Sequence, residues 1–210
     1  MKKISFILLS TLLIAGYSCK DAKKAKNEAG METAVDQYHL VSDSTKVTFV
    51  AYKTTEKKPV GGAFTKINIT KSNSGSTALE ALNGTTFGIP VSSLFTNDAT
   101  GTRDPKIIEY FFGVLKDTEL ISGVLRVKED KSCALEITLN GETASIPVTY
   151  TATSDTAYTF EGVMDLANWN ALEAVASLNK VCEVLHTGAD GISKTWSEVA
   201  LKAEVLLEVK

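Results

Sequence analysis

The residues able to do chemistry are few and scattered in this chain of 210. Its two histidines, His39 and His186, stand far apart, and neither shares a metal-ligand spacing with the cysteines. Cys182 and His186 are one helical turn apart, offering one thiol and one imidazole where zinc takes three or four protein ligands. No metal site is expected, and a histidine near a helix C-terminus is role enough for His186. The acidic pair Glu129-Asp130 sits in a polar run and reads as a solvated turn. No glycine-rich phosphate loop, nucleophile elbow or metalloprotease helix is present. A small hydrolase therefore lacks support, no catalytic residue is assigned, and the chain is read as non-enzymatic. One dense group remains: Arg103, Asp104 and Lys106, just ahead of Phe111-Phe112. A cation at a pocket mouth suits a phosphate or a carbonyl, and Arg can hold phosphate with two bonds. An Arg–Asp pair that only fixes its loop would look the same in sequence.

Cys19 promises a different chemistry. Met1-Lys2-Lys3 supplies positive charge, Ile4 to Ala15 is an apolar run, and small residues lead to the cysteine. That is the layout of a secretory signal peptide, too short to span a bilayer as a stable helix. Gly16-Tyr17-Ser18-Cys19 resembles a bacterial lipobox, although an aliphatic residue is usual where Gly16 stands. The expectation is a signal peptide over residues 1–18 and an acylated Cys19 as the mature N-terminus. Each buried methylene of an acyl chain contributes about 0.8 kcal/mol, so two or three chains hold a protein firmly on a membrane. Residues 20–36 carry charge, Ala and Gly but no aromatic residue, and cannot bury enough apolar surface to order themselves. Residues 19–37 are thus read as lipidated cysteine and tether, ahead of a domain over 38–210.

Charge narrows the partners. Loss of Lys2 and Lys3 with the signal takes the formal charge from −3 to −5. A mildly acidic protein has no electrostatic footprint for nucleic acid. The two remaining cysteines, Cys133 and Cys182, would pair in an oxidising envelope or stay as separate buried thiols; parity alone does not choose.

The elements that must position these residues are mostly strands. In residues 45–53, Val47, Phe49 and Ala51 share one face. Phe64, Ile67 and Ile69 mark a second run, and further runs cover 85–94, 119–128, 133–140, 143–151 and 156–165. Asn140-Gly141 between two of them is a strong hairpin signal. Val199, Leu201, Ala203, Val205, Leu207 and Val209 alternate with mostly polar residues, the mark of a long half-buried strand. Residues 104–112 read as a short helical turn. Residues 168–186 read as a longer helix, with Leu172, Val175, Leu178, Cys182 and Leu185 on one face and Gly188 as its stop. About eight strands either close into a barrel, which removes exposed edges, or stack as a sandwich.

Several segments together resemble the YceI-like family. They are Val47-Thr48-Phe49 with Gly62-Ala63-Phe64, then Ile89 to Thr96, Arg103-Asp104, Phe111-Phe112 and Gly123-Val124-Leu125. Trp169-Asn170, Leu185-His186 and Lys194-Thr195-Trp196 are similar to a variant found in Bacteroidetes members. The resemblance covers roughly residues 40–210 and departs at Lys106, where the family usually has His. It implies an all-β, antiparallel, about eight-stranded lipocalin-like barrel with one short and one longer helix. It also implies an elongated apolar cavity for a polyisoprenoid or isoprenoid quinone, with no other cofactor.

On that reading Phe49, Phe64, Phe87, Leu94, Phe111 and Phe112 are cavity wall, although a plain packed core would use the same residue types. Arg103, Asp104 and Lys106 are the headgroup candidates. The expected partners are an isoprenoid lipid and, through the anchor, an envelope membrane; the expected location is the outer membrane, facing periplasm or surface. The resemblance allows a homodimer. The alternative is a non-enzymatic interaction module with a filled β core, which would show a large exposed apolar patch.

Overall fold

The computed structural model describes residues 36–117 and 119–210. The expected signal peptide, Cys19 and most of the tether lie outside the described residues. In chain order the elements are β1 (Tyr38–Leu40), β2 (Lys46–Lys53), β3 (Lys58–Phe64), β4 (Asn68–Lys71), β5 (Ser74–Gly75), α1 (Ala78–Leu82), β6 (Thr86–Pro90) and β7 (Leu94–Phe95). There follow α2 (Arg103–Tyr110), β8 (Leu120–Val127), β9 (Cys133–Leu139), β10 (Glu142–Ser154), β11 (Ala157–Asp165), α3 (Leu172–Val181), α4 (Glu183–His186) and β12 (Thr195–Val209).

Hydrogen-bonded neighbours run β4-β6-β8-β9-β10-β11-β12-β2-β3-β7, all antiparallel. The two ends of that path meet through the chain itself. β4 continues β3 after residues 65–67, and β7 continues β6 after the 3-10 turn Val91–Ser93. Phe64 pairs with Leu94 and Asn68 with Gly88, so the two bent strands form one ladder whose register slips by two residues at the corner. The corner is tied by Thr65 N–H donating to Ser93 O (2.8 Å) and Ser93 Oγ donating to Pro90 O (2.7 Å). With β3/β4 and β6/β7 each taken as one bent strand, eight strands close a ring. This is the expected barrel, and the stacked-sheet alternative is excluded.

Local chemistry sets the register. Asn140 (φ 56°) and Gly141 (φ 72°) both adopt the left-handed conformation that a two-residue hairpin turn requires, with Leu139 opposite Glu142. The Asn140 side chain then staples the turn to its surroundings. Its Oδ1 accepts from Lys116 N–H (2.8 Å), and its Nδ2 donates to Trp169 O (2.8 Å). Trp169 is completely buried, and its indole N–H donates to Ile137 O at 2.9 Å.

Antiparallel pairing places the ends of β2, β9 and β11 and the start of β12 at one end of the barrel, where α2 and α3 pack on each other. Element α1, with β1 on the last residues of β12, covers the other end.

The single helix expected over 168–186 is instead a 3-10 turn, Leu166–Trp169, followed by α3 and α4. Asn170 is left-handed (φ 53°), which ends the first turn, and Cys182 leaves helical geometry (φ −106°, ψ 14°). The apolar stripe is therefore interrupted. Val175 and Cys182 are buried, whereas Leu172 and Leu185 are exposed. Cys133 and Cys182 are separate buried thiols at opposite ends of the barrel, and burial raises the pKa of each. Elements α1, β1 and β5 had no signal in the sequence reading, being too short to show a period.

Candidate functional site

The inner face of the barrel does not close on itself. It encloses a cavity of about 230 Å³ with an almost wholly apolar lining. The wall takes every second residue along a strand, because alternate positions point inward. Val47, Phe49 and Ala51 line it from β2, and Val199, Leu201, Ala203 and Val205 from β12. The lining extends from Thr195 to Val205 along one strand. At about 3.3 Å per residue, and with the usual tilt of barrel strands, that is a length of about 25 Å along the axis.

Glycines keep the lumen open. Phe49 pairs across the strands with Gly62, Phe87 with Gly123 and Val148 with Gly162. A Cβ on Gly62 would collide with the Cζ edge of the Phe49 ring, and one on Gly123 would sit 2.6 Å from Phe87 Cζ. Each large side chain thus lies flat across a bare backbone rather than projecting into the centre. Phe49 also packs on Phe64 with ring centroids 5.7 Å apart, and Phe111 meets Phe112 edge-on at 5.0 Å.

A void of this size is costly. Unfilled cavity volume in a core costs roughly 24 cal/mol per Å³, about 5 kcal/mol here, set against a net stability of about 5–15 kcal/mol for a typical domain. Protein interiors ordinarily fill such space. Apolar cavities of this order stay dry and accept apolar guests.

All six sequence-predicted wall residues, Phe49, Phe64, Phe87, Leu94, Phe111 and Phe112, lie on the cavity. Arg103, Asp104 and Lys106 do not line it; they begin α2, whose Ile107 does. Arg103 and Asp104 are not each other's partners. The Arg103 guanidinium stands 3.6 Å from the Asp98 carboxylate, which also accepts the backbone N–H groups of Thr102 and Arg103. The Asp104 carboxylate takes the Thr96 N–H (3.1 Å) and hydroxyl. Its geometry is that of a loop tie.

Sequence reasoning missed the polar end of the cavity. Lys53 follows Ala51 on the inward face of β2 and is paired with Thr195, which lines the cavity. Its Nζ donates to Leu185 O at 3.0 Å. Burial, then the nearby Lys58 and Arg103 charges, hold its pKa below the usual lysine range. Burial pushes the Cys182 thiol up, and the Lys106 and Lys53 charges work against that shift. His186 Nδ1 and Thr195 Oγ1 are 2.6 Å apart, and Thr195 Oγ1 donates to Asn179 Oδ1 at 2.8 Å. Burial, with Lys53 second, pushes the imidazole pKa down to about 4. The neutral ring is therefore the form present near pH 7. The signal for this site was the period-two run of β2 carried one step further, to its lysine. At the opposite end the Thr85 hydroxyl is buried on the cavity without a hydrogen-bond partner.

Among known proteins, no family model and no curated protein sequence matches this chain. Solved structures do. The fold is that of a polyisoprenoid-binding domain from Saccharophagus degradans implicated in plant cell wall breakdown. The two share 13% identity over 82% of this chain and 98% of that one, with a TM-score of 0.57. A second likeness, to the YCEI protein of Campylobacter jejuni, has 14% identity over 73% of this chain and 86% of that one, with a TM-score of 0.45. At such identity what is shared is the architecture: the antiparallel, lipocalin-like barrel expected from the sequence is the fold observed.

Proposed function

We propose that this chain is an envelope lipoprotein that holds a long apolar lipid, of the polyisoprenoid or isoprenoid-quinone class, inside its barrel. The observation that carries the reading is the hollow, elongated, apolar interior, kept open by glycines opposite large side chains. The polyisoprenoid-binding domain of the same fold supports it. Removal of tail surface from water, at roughly 25 cal/mol per Å², supplies the affinity. Phe49, Phe64, Phe87, Leu94, Phe111 and Phe112 hold the tail. Arg103, Lys106 and Lys53, at the helix-capped end, face the headgroup, and Asp104 keeps the Arg103 loop in place. The protein acts by binding, without a catalytic step. Cys19 carries the acyl anchor, and residues 20–37 tether the barrel to an outer membrane facing periplasm or surface. The hollow interior favours this reading over an interaction module with a filled core.

Two experiments test it. Titration of the purified protein with geranylgeraniol should quench intrinsic tryptophan fluorescence saturably, since Trp196 lines the cavity. The absence of any saturable change, with competing quinone equally silent, would remove the lipid site. Globomycin treatment should leave the precursor uncleaved, and mass spectrometry of untreated protein should find Cys19 acylated; an unmodified cysteine would remove the anchor.

A further inference from the structure

The cavity wall carries few polar side chains, those of Thr85, Thr195, Trp196 and Lys202. All but one are matched within the protein. Thr195 Oγ1 bonds to His186 and Asn179, the Trp196 indole N–H donates to Thr54 O at 2.7 Å, and Lys202 Nζ stands 2.7 Å from the Glu204 carboxylate. Thr85 is the exception. It is 5% exposed, and its hydroxyl has no hydrogen-bond partner. Thr45 and Thr54 are the other buried hydroxyls without one among the described residues, and neither lines the cavity.

Thr85 stands between α1 and β6, at the end of the cavity away from Thr195. Backbone bonds fix it there: its N–H donates to Leu82 O at 3.1 Å, and its carbonyl accepts from Leu125 N–H at 2.9 Å. Leu82 and Leu125 are both buried and both line the cavity, so the wall beside Thr85 is hydrocarbon. Buried polar groups are nearly always bonded in folded proteins, and a hydroxyl that is not bonded lowers stability. Valine has the same shape and would avoid that loss. A trapped water would not make it good, since a buried water needs several polar partners and the Thr85 hydroxyl is one. No bond holds χ1 of this residue, so its oxygen is free to turn to a guest.

We propose that the lipid held in the barrel bears an oxygen function, hydroxyl or carbonyl, at the tip of its chain as well as at its headgroup, and that Thr85 recognises that tip. The inference rests on the reading of the cavity as a lipid site with its headgroup at the helix-capped end. A tail that is hydrocarbon to its tip leaves the Thr85 hydroxyl unmet. An isoprenoid oxygenated at both ends serves the Lys53 end and the Thr85 end together. Threonine both donates and accepts, so it takes a carbonyl or a hydroxyl alike. A buried hydrogen-bonding group also discriminates, because a ligand lacking the matching atom leaves it unpaired.

The test titrates the full chain, by tryptophan fluorescence, with geranylgeraniol and with its ω-hydroxy derivative, which differ only by an oxygen at the tip. Thr85→Val should weaken binding of the ω-hydroxy compound about tenfold and leave that of geranylgeraniol within about twofold. Thr85→Ser, which keeps the hydroxyl, should keep the wild-type ratio of the two affinities. In the lipid-free protein Thr85→Val should not lower the urea midpoint, since the hydroxyl it removes has no partner to lose. Equal weakening of both compounds by Thr85→Val, an unchanged ratio, or a lowered midpoint would overturn the tip site. If wild-type protein binds both compounds without dependence on Thr85, the tip site alone falls; if it binds neither, the carrier reading falls and takes the tip site with it.

Discussion

At Gly62 the barrel wall is bare backbone, and the ring of Phe49 rests on it. A side chain there displaces the ring into the lumen. Gly62→Val is expected to weaken lipid binding about tenfold, or 1.4 kcal/mol, and to cost about 1–3 kcal/mol of stability through overpacking. Adding Phe49→Ala should return much of the binding, and a double-mutant cycle by fluorescence titration and urea unfolding checks the coupling. His186 makes a second prediction at this scale. Its folded pKa, about 4, lies below its ordinary value of 6.5, so the unfolded chain takes up the proton first. The stability tied to the neutral ring is complete above pH 6.5 and is lost as pH falls towards 4. For this half-exposed ring the loss is of the order of 1 kcal/mol after solvent screening. Urea unfolding at pH 7 and pH 4.5 should show it, and His186→Gln should flatten that part of the slope.

Among elements, the Asn140-Gly141 hairpin joins two long strands and anchors the helix-capped end. Asn140→Ala removes a residue suited to positive φ and leaves Lys116 N–H and Trp169 O without their partner. A loss of about 2–3 kcal/mol is expected in urea unfolding; a loss within experimental error would show that the staple is incidental. This hairpin, the six-residue alternation of β12 and the inward face of β2 were legible because a two-residue period and a turn dipeptide are local signals. The break between α3 and α4 was not. Leu172 and Leu185 keep helical spacing with Val175 and Cys182, yet the φ of Asn170 and the geometry at Cys182 decide which of them pack. Nor could sequence show that β3 runs into β4 around the Thr65–Ser93 corner, since that closure rests on partners 28 residues apart. The aromatic walls were legible as residue types, but their flat seating on glycines is a cross-strand fact. Lys53 was missed because a lysine ending a strand ordinarily reads as solvated.

For the molecule as a whole, the unfilled cavity is a cost in stability. Ala51 and Ala203 both line it. Ala51→Leu and Ala203→Leu would each add methylenes to empty space, and at about 0.8 kcal/mol per buried group should raise lipid-free stability by about 1–2 kcal/mol. The same variants should bind lipid more weakly. A cavity that merely reflects loose packing would gain stability with nothing else changed, so thermal unfolding and lipid titration on one pair of variants separate the two.

The central claim is that the barrel is hollow because something long and apolar occupies it. Native mass spectrometry of the full chain purified from cells that express it addresses this most directly. The account predicts a bound species released by collision whose fragments step by isoprene units, strongly diminished in the Ala51→Leu, Ala203→Leu double variant. A bare polypeptide mass in both proteins, under conditions that preserve added geranylgeraniol, would contradict it.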